Sequence, residues 1–282
     1  MKKILVTGAT GFIGNYVVKE LLKNNCQVIA TSQNEYKASS FPWFPQVKFI
    51  PFDLKDYDNA INYFEYFHKP DAMVHLAWEG LPNFEDDFHI VSNLPRHYRF
   101  LQNILHNGLK DITITGTCLE YGLQEGCLME DSTALPGTAY ANAKDSLRKM
   151  LLELQLQEQF IFKWVRLFYM FGNGQNANSI LAQLDKAIAL GEPSFNMSGG
   201  EQVRDYLPVE QVANYLVKIA LQNKVIGIIN CCSGKPITIK ELVMEHLHRK
   251  GASMQLNMGY YPYPAYEPMR FWGDTHKLNL LQ

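Results

Sequence analysis

Met1-Lys-Lys-Ile-Leu-Val-Thr7 runs directly into Gly8-Ala-Thr-Gly11-Phe-Ile-Gly14. Ile4, Leu5 and Val6 form an apolar run of buried-strand length, closed by glycine. After the turn, Ile13, Val17, Leu21 and Leu22 share one side of a predicted helix. A glycine-rich turn between a buried strand and a helix N-terminus suits an anion. Backbone N–H groups point outward there, and the helix dipole favours phosphate. The glycines also let the backbone approach a pyrophosphate and let the helix pack close to the strand. A glycine triplet alone is weak evidence. With a strand before it and a helix after it, this one predicts a dinucleotide-binding unit.

The rest of the first half repeats the pattern. Strands are predicted at Gln27–Thr31, Val47–Pro51, Ala72–Leu76, Asp111–Thr115 and Ile161–Arg166, and helices at Ala60–His68, Asn93–Asn107 and Tyr140–Gln159. Strand–helix alternation implies an α/β fold with a right-handed, doubly wound parallel sheet. After Arg166, glycines and prolines break the chain into short pieces. Residues 1–166 plus about 207–231 are therefore expected to form the dinucleotide-binding domain, with a helix near Val209–Leu221 and a strand near Ile226–Cys231. Residues about 167–206 and 232–282 are expected to form a smaller C-terminal lobe that binds the substrate. Ligands in such sheets sit beyond the carboxyl ends of the strands, so that lobe would close over the reactive end of the cofactor.

With 282 residues the chain can bury a large core, and its formal net charge of −2 does not point to a nucleic-acid binder. No apolar stretch approaches a membrane span. The five cysteines lack metal-ligand spacing, and the adjacent Cys231 and Cys232 read as buried thiols. A reducing, cytoplasmic setting is expected, with no metal.

Tyr140-Ala-Asn-Ala-Lys144 puts a phenol and an amine four residues apart on one helix face. A free tyrosine, with a pKa near ~10, is a poor acid or base at neutrality. An ammonium within ~4–6 Å should lower that value, and a shift of about three units is worth roughly 4 kcal/mol. Such a phenol can do acid–base work. Thr117, just past the fifth predicted strand, offers a hydroxyl to orient the reacting oxygen. A tyrosine and a lysine at this spacing are commonly a solvated helix face. The glycine turn and Thr117 are what make the pair a candidate site.

Together these motifs resemble the extended short-chain dehydrogenases/reductases of the NAD-dependent epimerase/dehydratase family. The resemblance rests on Thr7–Gly14, Asp53-Leu54, His75-Leu-Ala-Trp78, Thr115–Gly122, Tyr140–Lys144, Phe171–Gly174, Arg204-Asp-Tyr206 and Ser233–Ile237. It implies a Rossmann-type sheet and a nucleoside-diphosphate sugar as substrate. It also implies a cofactor site from Gly8, Thr10, Gly11, Phe12, Ile13, Gly14, Ser32, Asp53, Leu54, Leu76 and Ala77, with Tyr140 and Lys144. Asp53 and Leu54 would meet the adenine, although Asp53 also suits a helix N-cap. Thr117, Tyr140 and Lys144 would be catalytic. Trp78, Thr117, Cys118, Tyr169, Asn178, Phe195, Arg204 and Arg270 would meet the substrate. Arg204 would hold the diphosphate with its guanidinium fork. A homodimer through the helix bearing Tyr140 is implied too, with Leu147, Leu151 and Leu154 as apolar surface or as core.

Departures from the family pattern narrow the expectation. Four-six dehydratases carry an Asp-Glu pair after the threonine, where this chain has Cys118 and Leu119. Neither supplies a carboxylate, so dehydration is not expected. Cys118 reads as a proton donor or as a buried structural thiol. Ser32 stands where an acid would contact the adenosine 2′-hydroxyl, so NADP(H) is favoured over NAD(H). Tyr169 replaces an asparagine near the phosphates, and Arg270 stands in for an arginine a few residues earlier. The expected activity is NAD(P)H-dependent reduction of the C4 keto group of a nucleoside-diphosphate 4-keto-6-deoxyhexose. That is a step in deoxysugar and surface-polysaccharide synthesis, such as that of lipopolysaccharide O-antigen. The alternatives are a 4-epimerase with tightly held NAD and a non-catalytic dinucleotide sensor.

Overall fold

The computed structural model describes residues 1–281. The chain opens with β1 (Lys3–Thr7), α1 (Phe12–Lys23), β2 (Gln27–Ser32), α2 (Glu35–Ser39), β3 (Lys48–Pro51), α3 (Tyr63–Tyr66) and β4 (Ala72–His75). Then follow α4 (Leu94–His106), β5 (Asp111–Thr117), β6 (Gly126–Leu128), α5 (Ala139–Gln157), β7 (Ile161–Leu167), β8 (Tyr169–Phe171) and α6 (Ile180–Leu190). The remainder is β9 (Ser194–Asn196), β10 (Val203–Pro208), α7 (Val209–Leu221), β11 (Gly227–Cys231), β12 (Pro236–Thr238), α8 (Ile239–Lys250), β13 (Gln255–Asn257), β14 (Phe271–Gly273) and α9 (His276–Asn279).

Seven strands form one sheet in the order β3-β2-β1-β4-β5-β7-β11, and every pairing in it is parallel. Both faces are covered, which explains why the strands read as apolar runs. Alternate residues go to opposite sides. Ile4, Val6, Val28, Ala30 and Val74 join the core under α1 and α7. Leu5, Ile29, Met73, Ile112, Ile114, Phe162 and Trp164 join the core under α4 and α5. Each such fully buried aliphatic side chain contributes about 1.5–3 kcal/mol relative to exposure. The strand order reverses between β1 and β4, which opens a crevice at their carboxyl ends.

Beyond Leu167 the chain builds three smaller sheets, β8-β10-β12, β9-β13 and β6-β14, the last recruiting one strand from the first half. Leu181, Leu184, Phe195, Met197, Leu242 and Val243 form a separate core between α6, α8 and β9.

The helix expected over Ala60–His68 is a single turn, Tyr63–Tyr66. Asn62 caps it, and His68 and Lys69 take left-handed backbone (φ 58° and 54°), which ends it. The spacing of Ile61, Phe64 and Phe67 reflects packing into the core under α4 and α5, where Tyr63 and Phe67 meet Phe52 and Phe100. β5 also runs through Thr117, two residues further than expected.

Candidate active site

The glycine turn is held by its own geometry. Gly8 has φ +68° and lies against Ala77, where a Cβ would fall 2.8 Å from the Ala77 nitrogen. A Cβ on Gly14 would sit 2.1 Å from the Gly8 carbonyl oxygen. Gly11 precedes α1 without any side-chain cap, so its first N–H groups are left for a ligand. Around this turn lies a cleft of about 340 Å³, lined by Gly8, Thr10, Gly11, Ser32, Asp53, Leu54, Leu76, Ala77 and Trp78, with Arg96 and His97 from α4. Phe12, Ile13 and Gly14 do not line it; they start the helix behind the turn, and Ile13 packs against the core under α1 and α7. Asp53 caps a short turn by accepting from the Lys55 N–H (2.9 Å). It therefore has a structural role as well as a place in the cleft. Three buried polar atoms of residues lining the cleft, Thr31 Oγ1, Ser32 Oγ and Arg96 Nη1, have no partner among the described residues. Unpaired donors beside an open glycine backbone fit a dinucleotide.

Tyr140 and Lys144 project from the first turns of α5, which Thr138 caps by accepting from the Ala141 N–H (3.2 Å). Lys144 Nζ donates to the Thr115 carbonyl (2.8 Å) and lies 4.0 Å from the centre of the Trp78 ring. Tyr140 is enclosed by Trp78, Phe84 and His89, with ring centroids 6.0, 5.6 and 5.3 Å away. Burial pushes its phenol well above the ordinary tyrosine range. Glu120 and Cys118 add to that push, and Thr117 opposes it. Burial pulls Lys144 down to about 7, against the attraction of Glu120. The expected lowering of the phenol by the ammonium is therefore not what governs here, because desolvation outweighs it and Nζ is turned toward Thr115 and Trp78. The pair consists of a protonated phenol and an amine that titrates near neutrality.

Thr117 ends β5 and caps the turn Cys118–Tyr121 in a reciprocal box with Glu120. Glu120 is fully buried. It accepts from Thr117 N (2.9 Å), Trp164 Nε1 (3.0 Å) and Arg166 Nε (2.8 Å). The Thr-x-x-Glu spacing was readable as a capping signal; the ion pair with Arg166 was not. Cys118 is buried beside Tyr121 and Phe168, and burial keeps its thiol protonated.

A second cleft, of about 760 Å³, is lined by Tyr169, Asn178, Phe195, Arg204, Tyr206, Tyr266 and Glu267 among others. Arg204 is almost wholly enclosed. Its Nη1 donates to the carbonyls of Val203 (2.9 Å) and Met269 (3.2 Å), and its Nη2 pairs with Glu267 (2.8 Å). The Tyr169 hydroxyl bonds to the same carboxylate. Phe195 serves both expected roles, lining the cleft and packing in the α6–α8 core. Arg270 is exposed and does not line the cleft. Glu267, absent from the sequence expectations, carried no motif of its own. Leu147, Leu151 and Leu154 are buried within the monomer core, so they are not a dimer face. Among the described residues, no cluster of His, Cys, Asp or Glu is placed to hold a metal, and no helix is long and apolar enough to cross a membrane.

The chain is 28% identical over 271 residues to a dTDP-6-deoxy-L-talose 4-dehydrogenase (NAD(+)) of Aggregatibacter actinomycetemcomitans, a match covering 96% of this chain and 98% of that protein. It is 24% identical to UDP-arabinose 4-epimerase 1 of Arabidopsis thaliana, covering 98% of this chain and 73% of that one. The crystal structure of the UDP-glucuronic acid 4-epimerase from Bacillus cereus, in complex with UDP-glucuronic acid and NAD, shares the fold. Its TM-score is 0.85 at 24% identity, over 99% of this chain and 92% of that one. The family model for the NAD dependent epimerase/dehydratase family matches residues 4–232, and the chain belongs to that family.

Proposed function

We propose that the protein reduces the C4 keto group of a nucleoside-diphosphate 4-keto-6-deoxyhexose. The observation that carries this reading is the position of Tyr140. Its ring packs on Trp78, a wall of the first cleft, and on Phe84, a wall of the second. Tyr140 itself lines neither cleft, but a phenol packed between a wall of each stands where groups bound in the two would approach each other. Gly8, Gly11, Ser32 and Ala77 would hold a nicotinamide dinucleotide, whose chemistry would be hydride transfer. Tyr140, protonated in its enclosed position, donates the proton to the keto oxygen. Thr117 orients that oxygen, and Lys144, one helical turn from Tyr140, stabilises the phenolate left behind. Enclosure of the phenol by Trp78, Phe84 and His89 excludes water from the proton transfer.

The 28% identical relative named as a 4-dehydrogenase matches over nearly its whole length, which supports oxidoreduction at C4. Cys118 and Leu119 leave no carboxylate pair for dehydration. Tyr140→Phe should lower kcat by about 100- to 10,000-fold, followed by loss of reduced nicotinamide on a panel of nucleoside-diphosphate 4-keto-6-deoxysugars. Full activity in that variant would overturn the mechanism. Product formed without added cofactor would instead favour a 4-epimerase.

Ser32, a neutral side chain where an acid would be expected, and Lys37, which lines the same cleft, support NADP(H) as the preferred cofactor. Glu79, held by Lys55 (3.0 Å) and Gln33 in the same cleft, is the acid that opposes it, and the relative's name carries NAD(+). Turnover with both cofactors decides: a strong NADH preference ends the NADP(H) reading. The same two clefts support a division into a cofactor domain and a smaller substrate lobe.

A further inference from the structure

Lys144 is 2% exposed, yet among the described residues no carboxylate reaches its ammonium. Glu120, the acid that acts on it, is spent on Thr117, Trp164 and Arg166. On its own helix, Asp145 is taken by Arg148 (2.5 Å) and Lys149 (2.6 Å). From β4 and α4 it meets His75 and His97, both held neutral by burial. Tyr140 faces it as a neutral phenol. One hydrogen bond, to the Thr115 carbonyl, and one aromatic face, that of Trp78 at 4.0 Å, remain.

Trp78 has little freedom to turn. His97 stacks on it at 4.5 Å with an interplanar angle of 23°. His97 is bonded to His75 (2.7 Å), and His75 to Thr7 (2.8 Å) at the end of β1. At its edge, the indole N–H donates to His89 Nδ1 (3.1 Å), and the far nitrogen of His89 bonds to the Asn83 carbonyl (2.9 Å). A cation over an indole face is attracted by the ring quadrupole, most strongly when both are desolvated.

We propose that Trp78 is a positioning residue that keeps the Lys144 amine in its ammonium form beside Tyr140 through the face of its indole. This rests on the reading of Tyr140 and Lys144 as the proton-transfer pair. A leucine in its place would offer the amine no π face; a phenylalanine would offer a weaker one.

The test uses full-length, cofactor-free protein labelled with [ε-13C]lysine, the Lys144 resonance being the one lost in Lys144→Arg. Its titration midpoint is read by NMR in wild type, Trp78→Phe and Trp78→Leu. The midpoint should fall by about one pH unit in Trp78→Leu, a tenfold change in the protonation equilibrium, with Trp78→Phe in between. An unchanged or raised midpoint in Trp78→Leu overturns the proposal. Should that variant fail to fold, Trp78→Phe decides alone: a fall supports the role, and a wild-type or higher midpoint ends it. Tyr140→Phe activity separates the two readings. A fully active Tyr140→Phe removes the proposed reaction, while the NMR midpoints still judge what Trp78 does to Lys144.

Discussion

Replacing Glu120 by glutamine should damage the fold and the site together. The carboxylate is fully enclosed and serves Thr117 N, Trp164 Nε1 and Arg166 Nε. Glutamine keeps one oxygen for the Thr117 amide, but it must turn an NH2 toward a guanidinium or an indole N–H. Arg166 is then a buried cation with no counter-charge, and its Nη1 already lacks a partner. Breaking a buried pair from one side costs about 3–5 kcal/mol. With an unfolding entropy of about 2.1 cal/mol/K per residue, a chain this long should lose about 5–8 °C in Tm. Glu120 also pushes the titration of both Tyr140 and Lys144 upward, so the variant's pH–rate profile should move to lower pH. Thermal unfolding followed by circular dichroism reads the first effect, and kcat against pH reads the second. Adding Arg166→Met to Glu120→Gln should recover part of the lost Tm, because the stranded charge is gone. A single variant melting within about 1 °C of wild type, or a double variant no better than the single, would refute the reasoning.

Two further outcomes are expected. Gly14→Ala places a methyl group 2.1 Å from the Gly8 carbonyl, so the turn must open. A cost of about 1–3 kcal/mol and at least a tenfold loss of dinucleotide affinity should follow, and wild-type binding by fluorescence titration would count against the cradle. Stability should also fall in acid. His75 is held at about 3 and His97 well below the ordinary value of 6.5. Below pH 6.5 the unfolded chain takes up protons that folded His75 refuses until near pH 3, and His97 shifts in the same direction. Each histidine should therefore remove up to about 1.4 kcal/mol per pH unit as pH falls through that window. Urea unfolding at pH 7.5 and 5.5 checks it, and His97→Gln should halve the histidine share. Equal stability at both values would show that the pair titrates normally.

The central sheet was legible because its signals are local. Apolar runs, a glycine turn and the spacing of helix faces each fall within one element, and burial of both faces accounts for strands such as Ile4–Val6. Tyr140 and Lys144 were legible for the same reason, being one turn apart. What lies around them was not. Trp78, His97 and His89 come from three segments, and only folding stacks them. Glu267 comes from an irregular stretch far from Arg204 in the chain, so nothing local marked it as that residue's partner. The one misjudged helix, Ala60–His68, shows the reverse hazard, in which aromatic spacing that serves a cluster imitates a helical period.

The pairing of Arg204 with Glu267 changes how the second cleft meets a charged visitor. Among the described residues lining that cleft these two alone carry charge, and they cancel. The cavity is electrically almost blank, walled by amides, hydroxyls and aromatic rings. The lining side chains thus offer an arriving anion no net positive charge. The anion must compete with a carboxylate already seated on the only guanidinium, so charge is read there by exchange, while shape and hydrogen bonding do the first sorting.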